Sequence, residues 1–141
     1  MDYSSTFAIS AAGMNVERLR VDVAAMNLAN ANAAMTPNGV NYQPMQVVAT
    51  ATKVGSFGAL VNGSLVGPQA VIEPGTQAPR QVLEPGNPAA DAHGFVRYPG
   101  VDTTVEMMTL MSATRAYEAN VSALNAARSM AMKALEIGGG K

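Results

Sequence analysis

The chain has no cysteine. That excludes disulfide staples, zinc–thiolate sites and thiol nucleophiles together. It fits either a cytosolic protein or one kept free of cross-links in an oxidising compartment. Charge is also scarce, at 13% of residues against about 25% in typical soluble domains. Nine basic and ten acidic residues leave a net charge of −1, which gives no electrostatic case for nucleic acid or an anionic lipid surface. No run of about 18 apolar residues exists, so no membrane-spanning segment is expected. The start, Met1-Asp2-Tyr3-Ser4-Ser5, lacks a basic region and a continuous apolar stretch, so it does not read as a standard secretory signal.

Catalytic equipment is equally thin. His93 is the only histidine. In Asp91-Ala92-His93-Gly94 it lacks a second histidine, an HExxH pattern and any carboxylate cluster beyond Asp91, so it reads as a polar turn residue and not as half of a metal site. Gly55-Ser56-Phe57-Gly58 lacks the lysine of a phosphate-binding loop, and no strand-to-helix transition follows it. Ser, Thr and Tyr are present without a positioned base. The sequence therefore assigns no catalytic, cofactor-binding or metal residue and no small-molecule substrate, and the chain reads as a non-enzyme.

What fills the chain instead is Ala, Met, Val, Asn, Thr and Gly. A free monomer of this composition exposes weakly polar, adhesive surface, which points to burial by partners. The length of 141 residues fits one domain with extensions. Near the start, Ile9, Ala12, Val16, Leu19, Val23, Met26 and Asn30 repeat at alternating spacings of three and four. Near the end, Leu110, Thr114, Tyr117, Val121, Leu124, Arg128, Ala131 and Leu135 do the same. Such spacing lines side chains along one helical face, the seam of a coiled coil. A second seam runs beside the C-terminal one through Ala116, Asn120, Ala123, Ala127, Met130, Ala134 and Ile137. A helix apolar over so wide an arc needs cover on more than one side. From Thr103 to Ile137 it is about 50 Å long, more than the rest of the chain can wrap, so other subunits are implied.

The first helix is predicted from about Ser5 to Ala33, capped by Ser4 or Ser5 and stopped by Thr36-Pro37-Asn38-Gly39. Gly13 within it is tolerable where another backbone comes close. The second starts near Asp102 or Thr103, with Thr103-x-x-Glu106 as a capping box, and ends at Ile137 before Gly138-Gly139-Gly140. Between them, Val40 to Gly100 holds most of the Pro and Gly. Ala59-Leu60-Val61 and Ser64-Leu65-Val66 flank Asn62-Gly63, a hairpin signal. Met45–Thr50, Ala70–Glu73, Arg80–Glu84 and Phe95–Tyr98 read as strands. Val71-Ile72-Glu73-Pro74-Gly75 recurs as Val82-Leu83-Glu84-Pro85-Gly86; each reads as a strand end before a Pro-Gly turn, with glycine supplying positive φ. The fold class is mainly α with a small β part: long N- and C-terminal helices forming an antiparallel coiled coil, with a small β-rich insert at one tip. The division is 1–36 plus 101–141 as the helical core and 37–100 as the insert.

Asparagines sit oddly often in or beside the helices, at Asn15, Asn27, Asn30, Asn32, Asn120 and Asn125, although Asn is a poor helix former. Solvent exposure is one reading. The other applies to Asn30 and Asn120 on the seams, where an amide sets register and partner choice. The methionines Met107, Met108, Met111, Met130 and Met132 line several sides of the second helix; core packing is one reading, and adaptable contact with non-equivalent partners is the other.

Asn27-Leu28-Ala29-Asn30, preceded by Arg18-Leu19 and Val21-Asp22-Val23 and followed by Tyr42, resembles the N-terminal motif of bacterial flagellar rod and hook proteins. Leu83-Glu84-Pro85-Gly86-Asn87-Pro88, Asp91-Ala92-His93-Gly94-Phe95-Val96, Pro99-Gly100-Val101-Asp102, Glu106-Met107 and Met111-Ser112-Ala113-Thr114-Arg115-Ala116-Tyr117-Glu118-Ala119-Asn120 narrow the resemblance to the basal-body proximal rod proteins. It is strong over 14–32 and 82–133 and weak over 45–80. Gln43-Pro44 stands where the family pattern has a basic residue after Tyr42, and His93 where it has Asn.

The resemblance implies a structural subunit of the proximal rod, polymerising through its terminal helices into a torque-transmitting drive shaft that crosses the periplasm. It implies export through the flagellar type III apparatus without a cleaved signal. The implied partners are further copies of the chain, other proximal and distal rod proteins, and the export-gate adaptor at the rod base. Val16, Leu19, Val23, Met26, Asn30, Tyr117, Asn120, Val121, Leu124 and Leu135 are the expected packing residues. The alternatives are another axial component, such as a distal rod subunit, or a small soluble binding module centred on the insert.

Overall fold

In the computed structural model, which describes residues 3–36, 41–50 and 67–139, two long helices precede and follow four short strands along the chain. The order is α1 (Tyr3–Asn30), β1 (Met45–Thr50), β2 (Gln69–Pro74), β3 (Arg80–Leu83), β4 (Phe95–Tyr98) and α2 (Thr103–Gly139). The fold class read from the sequence holds, and all four strands outside 51–66 fall where the Val-rich runs placed them. The Asn62-Gly63 hairpin and the Gly55–Gly58 segment lie outside the described residues.

The helix ends differ in instructive ways. α1 begins at Tyr3, so Ser4 and Ser5 lie inside its first turn and do not precede it. It ends at Asn30, where Ala31 N and Ala33 N turn back onto Leu28 O and Asn30 O at 3.3 and 3.0 Å. Two tight turns thus close the helix before the Thr36–Gly39 cluster is reached. The N-cap of α2 is Asp102, not Thr103. The Asp102 carboxylate accepts from Thr104 N at 2.9 Å and Val105 N at 3.3 Å, and its carbonyl accepts from Glu106 N at 3.0 Å. A capping carboxylate satisfies otherwise orphaned amides and suits the positive helix end. Glu106 is thereby free of the expected capping box and faces elsewhere. At the other end α2 runs on through Gly138 and Gly139.

Contacts group the chain into two units: 1–19, 49–71 and 112–141 form one, and 20–48 with 72–111 form the other. In the first, Ser10, Val16, Ala113 and Ala127 are buried. A methyl built on Gly13 would lie 3.1 Å from the Nδ2 of Asn120, so glycine here does make room for the facing helix. The face α2 turns inward takes Ala116, Asn120 and Ala127 from one sequence seam, Leu124 and Ala131 from the other, and the buried Ala113 from neither. Small residues dominate because only they allow helix backbones to approach closely, and larger apolar groups are left outside. From Arg128 to Gly138 only Ala131 is even half covered.

In the second unit, Val23, Ala24, Asn27, Ala31 and Val96 are buried. β3 and β4 pair antiparallel, Arg80 to Tyr98 through Leu83 to Phe95, with Val96 opposite Val82. Met35 N donates to Arg97 O at 2.7 Å and forms an isolated bridge with Arg97. β1 pairs with β2. Gly75 N donates to Pro44 O at 2.8 Å and the Thr50 hydroxyl reaches Gln69 O at 3.4 Å, which sets an antiparallel sense. The repeated Glu-Pro-Gly segments do end strands, but neither glycine supplies positive φ. Among the described residues only Gly94 does, at +81°.

The free chain should show this gradient in amide exchange. Local protection follows buried contacts. Amides over 24–31 and 107–113 should exchange slowest, and those over 129–138 close to the unprotected rate. Equal protection along all of α2 in a proven monomer would contradict the fold as described.

Candidate subunit interface and the asparagine node beneath it

Asn27 is 1% exposed, and its amide is fully used. Its Oδ1 accepts from Met45 N at 3.0 Å and from the Tyr42 hydroxyl at 2.7 Å. Its Nδ2 donates to Met45 O at 2.7 Å and to Glu106 Oε1 at 2.9 Å. A primary amide offers two donors and two acceptor sites, and here each has a partner. Towards Met45 it behaves as a peptide group would, pairing both the N–H and the C=O at the first residue of β1. Aspartate could not donate to Met45 O or Glu106, and leucine would leave the backbone groups unpaired. Burial, and secondarily the Glu106 charge, raise the Tyr42 hydroxyl above the usual tyrosine value, so it remains a donor at all physiological pH.

A second polar cluster closes α1. Arg80 donates from Nη2 to Asn32 Oδ1 at 2.6 Å and to Ala31 O at 3.5 Å. α1 carries no basic residue in its last turn. Arg80 brings a cation to that end, where the helix dipole favours one. The guanidinium lies 5.0 Å from the Tyr98 ring centre, a cation–π distance. The Tyr98 hydroxyl donates to Glu84 Oε2 at 3.0 Å, and Asn87 Nδ2 to the same oxygen at 2.8 Å. The bond to Glu84 raises the Tyr98 pKa.

The loop between β3 and β4 is pinned by Asp91, whose carboxylate accepts from His93 N at 2.8 Å and Phe95 N at 2.9 Å. These bonds, that to Phe95 foremost, hold the Asp91 carboxyl below the usual value. His93 is exposed and enters this turn through its backbone. No group of three or more His, Cys, Asp or Glu is placed to hold a metal among the described residues.

Outside these clusters lies uncovered apolar surface. In one unit Met107, Met108 and Met111 are 56%, 65% and 57% exposed, and Val105 is beside them. In the other, Met130, Met132, Leu135 and Ile137 are exposed, Ile137 at 85%. No helix among the described residues is long and apolar enough to cross a membrane.

Comparison with known proteins decides the family. The chain is 44% identical over 133 residues to the flagellar basal-body rod protein FlgC of Escherichia coli O6:H1, covering 94% of this chain and 95% of the relative. It is 42% identical to that of Salmonella typhimurium over the same shares. To that of Bacillus subtilis it is 38% identical over 143 residues, 92% and 94% of the two chains. Residues 92–137 also match the family described as flagellar basal body rod FlgEFG protein C-terminal. The chain belongs to the FlgC family.

The structure distributes the sequence-selected packing residues of this FlgC-family chain unevenly. Val16 and Val23 are buried within the chain. Leu19, Asn30, Asn120, Val121 and Leu124 are half-buried, and Met26, Tyr117 and Leu135 are exposed. Asn30 donates to Met26 O of its own helix at 2.8 Å. Asn120 does face another helix, at Gly13. Sequence reasoning missed Asn27 as the central amide. Its position three residues before Asn30, on the buried line through Val23 and Ala31, is the signal that could have found it.

Two measurements check these polar clusters. Asn27→Ala should cost about 2–4 kcal/mol in denaturant unfolding, because buried backbone groups lose their partners, and Tyr42→Phe about 1 kcal/mol. Equal losses in the two variants would remove Asn27 from its central role. Asp91, being lowered in the folded state, stabilises the loop above the ordinary carboxylate pKa, and that stabilisation is lost as pH falls through the lowered value. A carboxyl NMR titration should therefore place the Asp91 midpoint below that of a free aspartate, with the His93 and Phe95 amide shifts following it.

Proposed function

We propose that the chain is a structural subunit of the flagellar basal-body rod, built into the polymer through its two terminal helices. The observation carrying this reading is the end of α2. Met130, Met132, Leu135 and Ile137 stand uncovered on the last three turns of a helix of 37 residues, about 55 Å long. Apolar groups set all round a helix end have no stable place in a solitary chain. The names of the full-length relatives supply the context: each is a flagellar basal-body rod protein.

Within that role we place the chain in the proximal rod. Residues 1–36 and 101–141 form the helical core and 37–100 the insert. Val16, Leu19, Val23, Met26, Asn30, Tyr117, Asn120, Val121, Leu124 and Leu135 are the packing residues of the helices. Those buried in the single chain hold its own helices together. Those exposed, Met26, Tyr117 and Leu135, meet neighbours. The neighbours are further copies, other proximal and distal rod proteins, and an export-gate adaptor at the base. The rod crosses the periplasm, and its subunits arrive by flagellar type III export. Torque passes through many packed helices loaded together, and no catalytic step is part of the role.

Leu135→Asp separates assembly from folding. Leu135 is 75% exposed, so the substitution should change the unfolding free energy of the free chain by no more than about 0.5 kcal/mol. A charge placed in a desolvated helix seam is strongly unfavourable unless paired, so the variant should be made at normal levels, be absent from purified basal bodies and fail to support swimming. Normal motility with Leu135→Asp would show that the end of α2 is not a packing surface.

A further inference from the structure

With no cysteine in the chain, its sulfur chemistry rests on methionine alone. Met14 and Met35 are half-buried, whereas Met26, Met45, Met107, Met108, Met111, Met130 and Met132 are exposed. Three of the exposed ones form a cluster. Met107 and Met111 are four residues apart and Met108 and Met111 three, so all share one face of α2. Between Asp102 and Arg115 the only charged residue is Glu106, and its carboxylate is bonded to Asn27. The outer face of these turns is therefore thioether, Val105 and small hydroxyl side chains, without charge.

We propose that Met107, Met108 and Met111 form an oxidation-sensitive site on the free subunit, and that their sulfoxides block its incorporation into a polymer. The reactant is a peroxide. The methionine sulfur attacks one peroxide oxygen, the O–O bond breaks, and hydrogen peroxide leaves as water while the thioether becomes a sulfoxide. Sulfur is oxidised by two electrons and the peroxide is reduced by two. The product is a polar, chiral group where an adaptable apolar one stood. Three such groups on one face turn a surface suited to dry packing into one that must be desolvated to pack. The free chain is open to the reaction, and a packed chain is shielded from it, so oxidation acts before assembly. This consequence rests on the reading that the face is covered in the assembled rod.

The test pulses cells with hydrogen peroxide while a tagged chain is being made, then compares tagged chain inside purified basal bodies with tagged chain outside them. Wild type should lose incorporation several-fold after the pulse. Met130→Leu/Met132→Leu alone should behave as wild type, and adding Met107→Leu/Met108→Leu/Met111→Leu in that background, which keeps volume and apolarity, should retain incorporation. Peptide mass mapping of the wild type gives an independent readout. Excluded chain should carry sulfoxide at 107, 108 and 111 at higher occupancy than at 14 and 35, and incorporated chain should carry little. Equal occupancy inside and outside, or loss of incorporation in the combined leucine variant matching wild type, would overturn the proposal. Absence of the unpulsed wild-type chain from basal bodies would instead overturn the rod reading itself.

Discussion

A single buried amide ties three separate stretches of this chain together. Asn27 holds the first residue of β1, the Tyr42 hydroxyl and the Glu106 carboxylate with one saturated set of bonds. Its burial is tolerable only because every donor and acceptor is matched; a half-satisfied amide at 1% exposure would destabilise the fold. The surrounding choices follow from it. Glu106 is drawn away from the helix cap, so Asp102 caps α2 instead. Asn27 is flanked by Val23, Ala24 and Ala31, which shut out water and keep the hydrogen bonds strong. The small alanines also let neighbouring backbone come close enough for a side chain as short as asparagine to reach it.

The helices show the same logic at another point. Asn27 meets Glu106, and Gly13 lies against Asn120. At the Asn27 level a slipped pairing is disfavoured, since a shift of one turn would bury an unpaired amide. Apolar seams alone tolerate such shifts because one Leu–Ala contact resembles the next. Beside Asn27 the amide thus fixes which residues meet, while small apolar residues supply close packing.

Surface composition ties this architecture to function. The groups a solitary domain would bury stand outside: Met107, Met108, Met111, Leu135 and Ile137 are all more than half exposed. Small residues occupy the inner faces instead. A chain arranged this way leaves its larger apolar groups uncovered, which fits a member of a basal-body rod family. Methionine suits such contacts because its unbranched, polarisable side chain adapts to neighbours that differ in shape. The same thioether is open to oxidation wherever it is exposed.

Much of this was legible in the residues. The three-and-four spacing located both helices, Val-rich runs located four strands, and the Glu-Pro-Gly-Asn-Pro to Tyr-Glu-Ala-Asn block located the family, because each is a local pattern whose physical cause lies within a few residues. Which face of a helix turns inward was not local. The C-terminal helix carries apolar groups over so wide an arc that two seams were equally readable, and packing chose a line through Ala116, Asn120, Leu124, Ala127 and Ala131 that borrowed from both. The asparagines divided the same way. Sequence singled out Asn30 and Asn120 from the seam, but Asn30 donates to its own helix, while Asn27 meets partners 15, 18 and 79 residues away. The Pro-Gly pairs marked where strands end, yet the positive φ fell at Gly94, where the Asp91 turn requires it. Local propensity determined where elements form; which side chains are buried together was decided by tertiary structure, because a hydrogen bond between distant residues exists only once the chain has brought them together.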